Sequence, residues 1–401
     1  MKTDYDAIIV GGGPAGSTAA ILLANAGWSV AVIEKNAFPR RKVCGECIAA
    51  TNLSLFDALG IGTQFDALAG PELRYVGLFA GADKVMAELP AFVDPPHPWG
   101  RVLGRETLDT LLLQRAADSG ADVWQPWSVQ RVACTGNPRK TCRLVSRTST
   151  ATATLSAPVL IDAHGSWEVD PFAGRRESRP HTNSDLFAFK GTYRDASLAP
   201  GVLPVLAFAG GYGGMVHGDQ DQLTLAFCIR RDALRTCREL SVGSSAALAA
   251  RAHVVSGCTG VRDALAGATL VAPWLAVGPI RPGIRSPWRR DGVFAIGNAA
   301  GEAHPILGEG ISMAIQSAWM LCELLIARRV ELVAGRAAAE VGRRYATRWR
   351  RSFTTRIRLA AMFAHIAMRH RPTAALLPVL RRWPQLLTSS ARLGAKVRCV
   401  V

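Results

Sequence analysis

The side chains best suited to chemistry in this sequence are two closely spaced cysteines and a late histidine. Cys44 and Cys47 have the C-x-x-C spacing of a redox dithiol or a metal site, and the thiol of Cys44 could donate a proton. His304 precedes Pro305 and suits a proton relay near neutral pH. A buried apolar role for Cys44 and a structural hydrogen bond for His304 remain open. Without a second cysteine pair or nearby histidines, we expect no metal site.

A glycine-rich turn near the start of the chain indicates a nucleotide cofactor with which these side chains would act. Gly11, Gly13 and Gly16 follow an apolar run at 7–10, and a helix-like segment and a second apolar run ending at Glu34 come next. Gly11 can make the turn, Gly13 lets a pyrophosphate approach the backbone, and Gly16 lets the helix pack closely on the sheet. Glu34 can bond a ribose hydroxyl and would repel a 2′-phosphate, so the unit predicts a site for FAD or NAD.

The loop after Glu34 carries positive charge beside this site. Pro39 and Gly45 predict irregular backbone, and Arg40, Arg41 and Lys42 lie between them. These side chains could hold phosphate or cover one edge of a cofactor. A solvated surface loop is the alternative.

The order of elements predicts an α/β fold with a Rossmann-type nucleotide domain that is interrupted in sequence. We assign residues 1–180 and 270–325 to this domain, with small substrate-facing insertions near 60–100. Short alternating apolar runs with glycine and tyrosine predict an antiparallel substrate sheet in 181–269, with Tyr212, Gly213 and Met215 lining a pocket. Residues 326–401 form a basic helical region.

The charge is concentrated in that last region. The net charge is +16, and residues 326–401 contain 16 Arg and one Lys against Glu331 and Glu340. Phe353, Ile357, Ala360 and Ala364 fall on one helical stripe. A peripheral contact with an anionic membrane and a solvated arginine-rich cap are both open, whereas the lack of a reader motif argues against nucleic acid.

The composition predicts a cytoplasmic enzyme, with membrane association left open. Nine scattered cysteines indicate reduced thiols, and we expect neither a signal peptide nor a membrane-spanning helix.

Together these motifs resemble the p-hydroxybenzoate hydroxylase type of FAD-dependent oxidoreductase over roughly residues 4–325. The resemblance implies that the first glycines and Glu34 hold the ADP half of FAD and that Arg105 lies beside its phosphates. It also implies that Gly297, Asn298 and Ala299 lie near the ribityl chain and that residues 305–311 face the flavin. The full set of cofactor residues expected on these grounds is Gly11, Gly13, Pro14, Ala15, Gly16, Glu34, Lys35, Arg41, Cys44, Arg105, Gly297, Asn298, Pro305, Gly308, Gly310 and Ile311.

The motifs that distinguish the branches of this family are matched only in part. Residues 42–45 and 308–311 look like the geranylgeranyl reductase branch, in which the cysteine lies near the flavin. The Tyr-x-Trp-x-Phe-Pro motif of that branch is replaced by residues 212–217, and the Trp-x-Trp-x-Ile-Pro motif of the flavin halogenases is absent. Aromatic hydroxylases carry Asp-Gly where this chain has His164 and Gly165.

Three functions follow as expectations. The first is a monooxygenase that hydroxylates an apolar aromatic or polyketide-like small molecule through a flavin C4a-hydroperoxide, with NAD(P)H as electron donor. The second is a reductase of carbon–carbon double bonds, in which Cys44 or His304 gives the proton. The third is a flavin-bearing membrane-surface protein without catalysis. We expect Cys44, His304 and Pro305 to form the catalytic set.

Overall fold

The computed structural model describes residues 2–92, 97–133, 139–166, 180–289 and 292–388. Its helices, in chain order, are α1 (Pro14–Asn25), α2 (Leu53–Leu59), α3 (Gly62–Leu68), α4 (Arg105–Asp118), α5 (Arg231–Leu240), α6 (Ala246–Gly257), α7 (Thr259–Ala264), α8 (Gly310–Ala327), α9 (Arg329–Val333), α10 (Ala338–Ala367) and α11 (His370–Arg382). Its strands are β1 (Ala7–Val10), β2 (Val30–Ile33), β3 (Cys47–Ile48), β4 (Tyr75–Ala80), β5 (Asp83–Glu88), β6 (Arg101–Val102), β7 (Asp122–Trp124), β8 (Trp127–Ala133), β9 (Lys140–Ser146), β10 (Thr152–Ala157), β11 (Val159–Asp162), β12 (Leu186–Arg194), β13 (Val202–Phe208), β14 (Gly211–His217), β15 (Leu223–Arg230), β16 (Thr269–Leu270), β17 (Leu275–Ile280), β18 (Gly283–Ile284), β19 (Val293–Ala295) and β20 (Gly301–Glu302). Short 3-10 turns cover Ala50–Asn52, Asp219–Asp221, Gly297–Ala299 and Pro305–Leu307.

A five-stranded parallel sheet forms the centre of the first domain, in the order β19-β11-β1-β2-β7. Strands β1, β2 and β11 are buried on both faces, which is why they read as continuous apolar runs rather than alternating ones. Helices α1, α4 and α8 pack on one face, and the antiparallel sheet β8–β10 covers the other. Because β19 joins this sheet from late in the chain, the nucleotide domain is discontinuous, as predicted.

The second sheet draws on more of the chain than the predicted substrate segment. Its strands follow the order β16-β12-β15-β14-β13-β4-β5, and β17 also pairs with β12. Strands β4 and β5 therefore come from the insertion placed near 60–100, and β17 lies beyond the boundary placed at 269. Strand β4 joins by parallel pairing to β13, a long-range contact that alternation within 181–269 does not reveal.

The C-terminal helices close the second sheet on one side. Helices α5, α6 and α7 cover one face of it, while α10 and α11 pack against the other. The stripe predicted on α10 is confirmed, since Phe353, Ile357, Ala360 and Ala364 are all buried and Arg351 is exposed. One side of the basic C-terminal region is therefore buried and packs against the second sheet.

Helix α8 is the one described helix long and apolar enough to cross a bilayer. About two thirds of it, 67%, is buried inside the protein, where it packs against α1. This burial is typical of the core helix of a folded domain.

Candidate functional site

The glycine turn after β1 opens a cleft at the carboxyl end of the parallel sheet. Gly11 has φ +111°, and a Cβ on Gly16 would lie 1.8 Å from the Gly11 carbonyl oxygen, so both positions require glycine. A Cβ on Gly13 would meet nothing closer than 3.9 Å. The turn is therefore closed on its helix side and open on the cleft side.

Glu34 is fixed at the end of β2 by backbone amides. Its Oε2 accepts a hydrogen bond from Gly12 N at 2.9 Å, and its Oε1 accepts one from Asn36 N at 2.9 Å. The side chain is buried and lines the cleft. A carboxylate held in this way presents a defined acceptor to a ribose hydroxyl.

Two arginines bring positive charge to the same cleft, beside Glu34. Arg105 donates from Nε and Nη2 to Asp109 at 2.6 and 2.7 Å. Burial opposes its charged form, but the Asp109 carboxylate outweighs burial and holds the pKa of Arg105 above its ordinary value. Arg40 also lies here, 3.5 Å from Asp109, and its buried Nε has no hydrogen-bond partner among the described residues.

The late segment of the chain forms the other end of the cleft. Gly297 N donates to Ser317 Oγ at 2.8 Å, and Asn298 Nδ2 donates to Ser166 Oγ at 2.7 Å. Helix α8 begins at Gly310, so its first backbone amides and its positive dipole end face this region. Negative charge that develops here would be stabilised.

This cleft fits FAD by its own chemistry. Open space beside Gly13 and the unsatisfied Arg40 Nε suit a pyrophosphate, Glu34 suits a ribose, and the α8 terminus suits a flavin ring that becomes anionic. The predicted cofactor residues that line the cleft are Gly11, Gly13, Pro14, Ala15, Glu34, Lys35, Cys44, Arg105, Gly297, Asn298, Pro305, Gly308, Gly310 and Ile311. Gly16 lies behind the turn and shapes it.

A second, apolar cavity of about 330 Å³ lies between the second sheet and the C-terminal helices. Tyr212 and Gly213 line it, together with Leu78, Ile366 and Leu380. The cavity shares a wall with the cofactor cleft, formed by Val43, Cys44, Gly45, Cys47, Glu302, Pro305 and Gly308, which we call the shared wall. A molecule in the cavity would therefore lie next to whatever occupies the shared end of the cleft.

His304, next to Pro305 of the shared wall, is hydrogen-bonded to Tyr212 of the second sheet. Tyr212 Oη and His304 Nδ1 are 3.0 Å apart, and the His304 and exposed His365 rings have centroids 5.9 Å apart. Burial, with a smaller effect of His365, lowers the pKa of His304 to about 4. At neutral pH the imidazole is therefore uncharged, and it acts as a neutral hydrogen-bond partner of Tyr212.

This lowered pKa predicts a pH-dependent stability. The unfolded chain takes up a proton on His304 near pH 6.5 and the folded protein only near pH 4. The contribution of His304 to the free energy of unfolding is therefore fully present above pH 6.5 and is lost as the pH falls towards 4. We expect His304→Asn to reduce that loss by about 3 kcal/mol. Urea unfolding across this range, with exposed His370→Asn as control, measures it. Equal pH profiles for His304→Asn and the unsubstituted protein would contradict the assignment.

Two predicted residues lie away from the site. Arg41 donates to the Pro273 carbonyl at 3.1 Å, whereas Arg40 and Lys42 line the cleft, because successive side chains of an extended loop point to opposite sides. Met215 lies on the face of β14 opposite Tyr212 and is buried against Phe227 and its neighbours. The period of two along a strand accounts for this difference.

Two buried acidic residues were missed by the sequence argument. Glu302 lines both cavities, and burial raises its pKa although Arg285, 3.2 Å away, opposes the shift. Glu46 has φ +60° and accepts hydrogen bonds from Arg105 N at 3.0 Å and Thr224 Oγ1 at 2.9 Å, while pairing with Lys190. A charged residue inside an otherwise small and apolar stretch was the only signal for Glu302.

The described residues contain no cluster of metal-binding side chains. No group of three or more His, Cys, Asp or Glu side chains could hold an ion there. Neither Cys44 nor Cys47 forms a disulfide with another described cysteine. Cys47 Sγ lies 3.3 Å from the Gly45 carbonyl oxygen, and Cys44 Sγ accepts from Glu46 N at 3.3 Å.

The fold and the cleft together define a dinucleotide-binding flavoprotein of the FAD type. The FAD binding domain family matches residues 4–171, which form most of the first domain.

Similar proteins include both reductases and halogenases. The chain is 34% identical over 122 residues to menaquinone reductase of Mycolicibacterium smegmatis, covering 30% of this chain and 29% of that protein. It is 30% identical over 159 residues to tryptophan 2-halogenase of Chondromyces crocatus, covering 39% and 30%. The structure of the flavin-dependent brominase Bmp2 superposes with a TM-score of 0.78 at 19% identity, covering 100% of this chain and 95% of the brominase. These matches span less than a third of the two curated relatives and support the fold and the nucleotide domain.

Proposed function

We propose that this protein is a cytoplasmic FAD-dependent monooxygenase that hydroxylates an apolar aromatic or polyketide-like small molecule, with NAD(P)H as electron donor. The observation that carries the proposal is the shared wall, because it brings an apolar cavity directly against the cofactor cleft. FAD, when bound, supplies two-electron redox chemistry and oxygen activation.

The protein's own residues would exclude water, stabilise negative charge and orient the substrate. The apolar lining of the cavity excludes water, which favours productive oxygen chemistry over side reactions. The first amides of α8 stabilise negative charge at their end of the cleft. Tyr212 lines the cavity and is hydrogen-bonded to His304, and burial raises its pKa well above the ordinary value, so its neutral hydroxyl can form a hydrogen bond with a polar group on the substrate.

A second candidate is the reduction of a carbon–carbon double bond. The position of Cys44 favours it, since this thiol lies in the shared wall and could supply a proton to a substrate in the cavity. The similarity to a protein named menaquinone reductase is consistent with a reductive reaction. Both reactions use the same cleft and cavity, and they differ in their need for oxygen.

The test is the balance of oxygen and product. Purified, FAD-loaded protein would be incubated with NADH or NADPH and a panel of apolar aromatic and polyunsaturated compounds, with oxygen uptake and product mass recorded. We expect uptake that depends on the compound and a product one oxygen atom heavier. Anaerobic turnover to a product that has gained two hydrogens would instead establish the reductase, and a loaded protein that no donor and compound pair turns over would contradict both.

A further inference from the structure

The outer side of α11 and the turn after it expose a continuous apolar stripe. Leu376, Val379, Trp383 and Leu386 are spaced by three, four and three residues and are 37%, 38%, 54% and 45% exposed. Leu377 and Leu380, on the inner side of the same helix, are buried against the second sheet. A surface helix that faces water normally carries polar residues outside, so this helix is apolar on two sides.

The stripe is also where the apolar cavity reaches the surface. Leu376 and Leu386 both line the cavity, and both are exposed. The interior of the cavity and the outer stripe therefore form one continuous apolar path.

Charge decides between the possible occupants of this stripe. Residues 341–401 contain no Asp or Glu and include 13 Arg and one Lys. Exposed Arg371 and Arg382 have no acidic partner among the described residues, and the guanidinium of Arg382 lies 5.8 Å from the Trp383 ring centroid. A second copy of this chain docked through the same stripe, or residues 389–401 with two Arg and one Lys, would bring positive charge onto positive charge.

We propose that this stripe docks on an anionic lipid bilayer, with Val379 and Trp383 entering the interface and Arg371 and Arg382 at the headgroups. Exposed Leu and Trp beside arginine is the composition of an interfacial helix. Arg381 on the same helix is already paired with Asp83, and phosphate headgroups would supply the negative charge for Arg371 and Arg382. Docking in this way directs the mouth of the cavity towards the hydrocarbon. The inference stands on this surface alone and holds whichever reaction the flavin site performs.

The experiment is co-sedimentation of the full-length, FAD-loaded protein with two kinds of vesicle, phosphatidylcholine alone and phosphatidylcholine mixed with phosphatidylglycerol. We expect binding to the anionic vesicles that weakens with added salt, and little binding to the neutral ones. The double variant Val379→Ser/Trp383→Ser is expected to lose about tenfold or more in affinity. Neither residue lines the cavity or the cofactor cleft, so the flavin spectrum serves as a check on folding.

Matched controls separate this surface from general stickiness. Leu240→Ser/Val242→Ser removes two residues that are 82% and 91% exposed elsewhere, and it should bind vesicles normally. Arg371→Gln/Arg382→Gln should weaken binding, whereas Arg235→Gln/Arg238→Gln on α5 should not. Absence of vesicle binding by the unsubstituted protein, or an equal loss in stripe and control variants, would overturn the proposal. So would a dimer in sedimentation velocity that the stripe variant converts to monomer, since the occupant would then be a second copy.

Discussion

Replacing Gly13 with alanine is expected to give a folded protein that has lost most of its affinity for FAD. Gly13 has φ −74° and ψ −174°, which alanine adopts without strain, and the added methyl would lie 3.9 Å from the nearest protein atom, Arg105 Nη2. It would occupy the open side of the turn, where we expect the pyrophosphate. An overlap costing about 3 kcal/mol corresponds to about 100-fold weaker binding.

Alanine at Gly16, three residues further along the turn, should affect folding rather than FAD binding. Gly16→Ala places its methyl 1.8 Å from a backbone oxygen that cannot move aside, so it should destabilise the fold itself by about 3 kcal/mol. Gly257→Ala, whose methyl would meet Phe208 Cβ at an ordinary 3.7 Å, is the control. FAD fluorescence titration and thermal unfolding without FAD separate the two effects. Undiminished FAD affinity in Gly13→Ala would show that the pyrophosphate does not lie at this turn.

The second large effect is expected at Glu46. Its carboxylate joins the loop of the shared wall to the start of α4 through Arg105 N and to the second sheet through Lys190 and Thr224. Glu46→Gln would leave the buried Lys190 ammonium without a counter-charge, and we expect a loss of about 3–5 kcal/mol in the free energy of unfolding. Because Cys44 and Cys47 flank Glu46, FAD affinity should fall as well.

An exposed ion pair provides the comparison for Glu46. Lys84 pairs with Asp263 on the surface, and Lys84→Met should change stability by less than about 1 kcal/mol. Urea unfolding of both variants and of the double variant Glu46→Gln/Lys190→Met measures the difference. The double variant should recover part of the loss, since it leaves neither charge buried alone. Equal effects of Glu46→Gln and Lys84→Met would contradict the role assigned to Glu46.

The nucleotide half of the site was predictable because its signals are local. Gly11, Gly13, Gly16 and Glu34 lie within a single strand-turn-helix-strand unit, whose spacing alone fixes where each residue goes. The late Gly297 region was placed by its resemblance to a family motif, and the structure brings it to the same cleft.

The substrate half depends on contacts between residues far apart in sequence. Glu46 meets Lys190 across 144 positions, and no local pattern around either residue indicates the other. Met215 and Arg41 were assigned to the wrong side because neighbouring residues in extended backbone face opposite ways, and alternation alone does not say which face is the pocket. The basic C-terminal region was interpreted by its charge, whereas its buried side forms one wall of the cavity.

The most direct test of the account is the visible absorption spectrum of the flavin in FAD-loaded protein during titration with an apolar aromatic molecule such as 1-naphthol. If the cavity and the cofactor cleft meet at the shared wall, the flavin bands should shift in a saturable way as the cavity fills. A folded protein that takes up no FAD, or bound FAD whose spectrum does not respond to any such molecule, would contradict it.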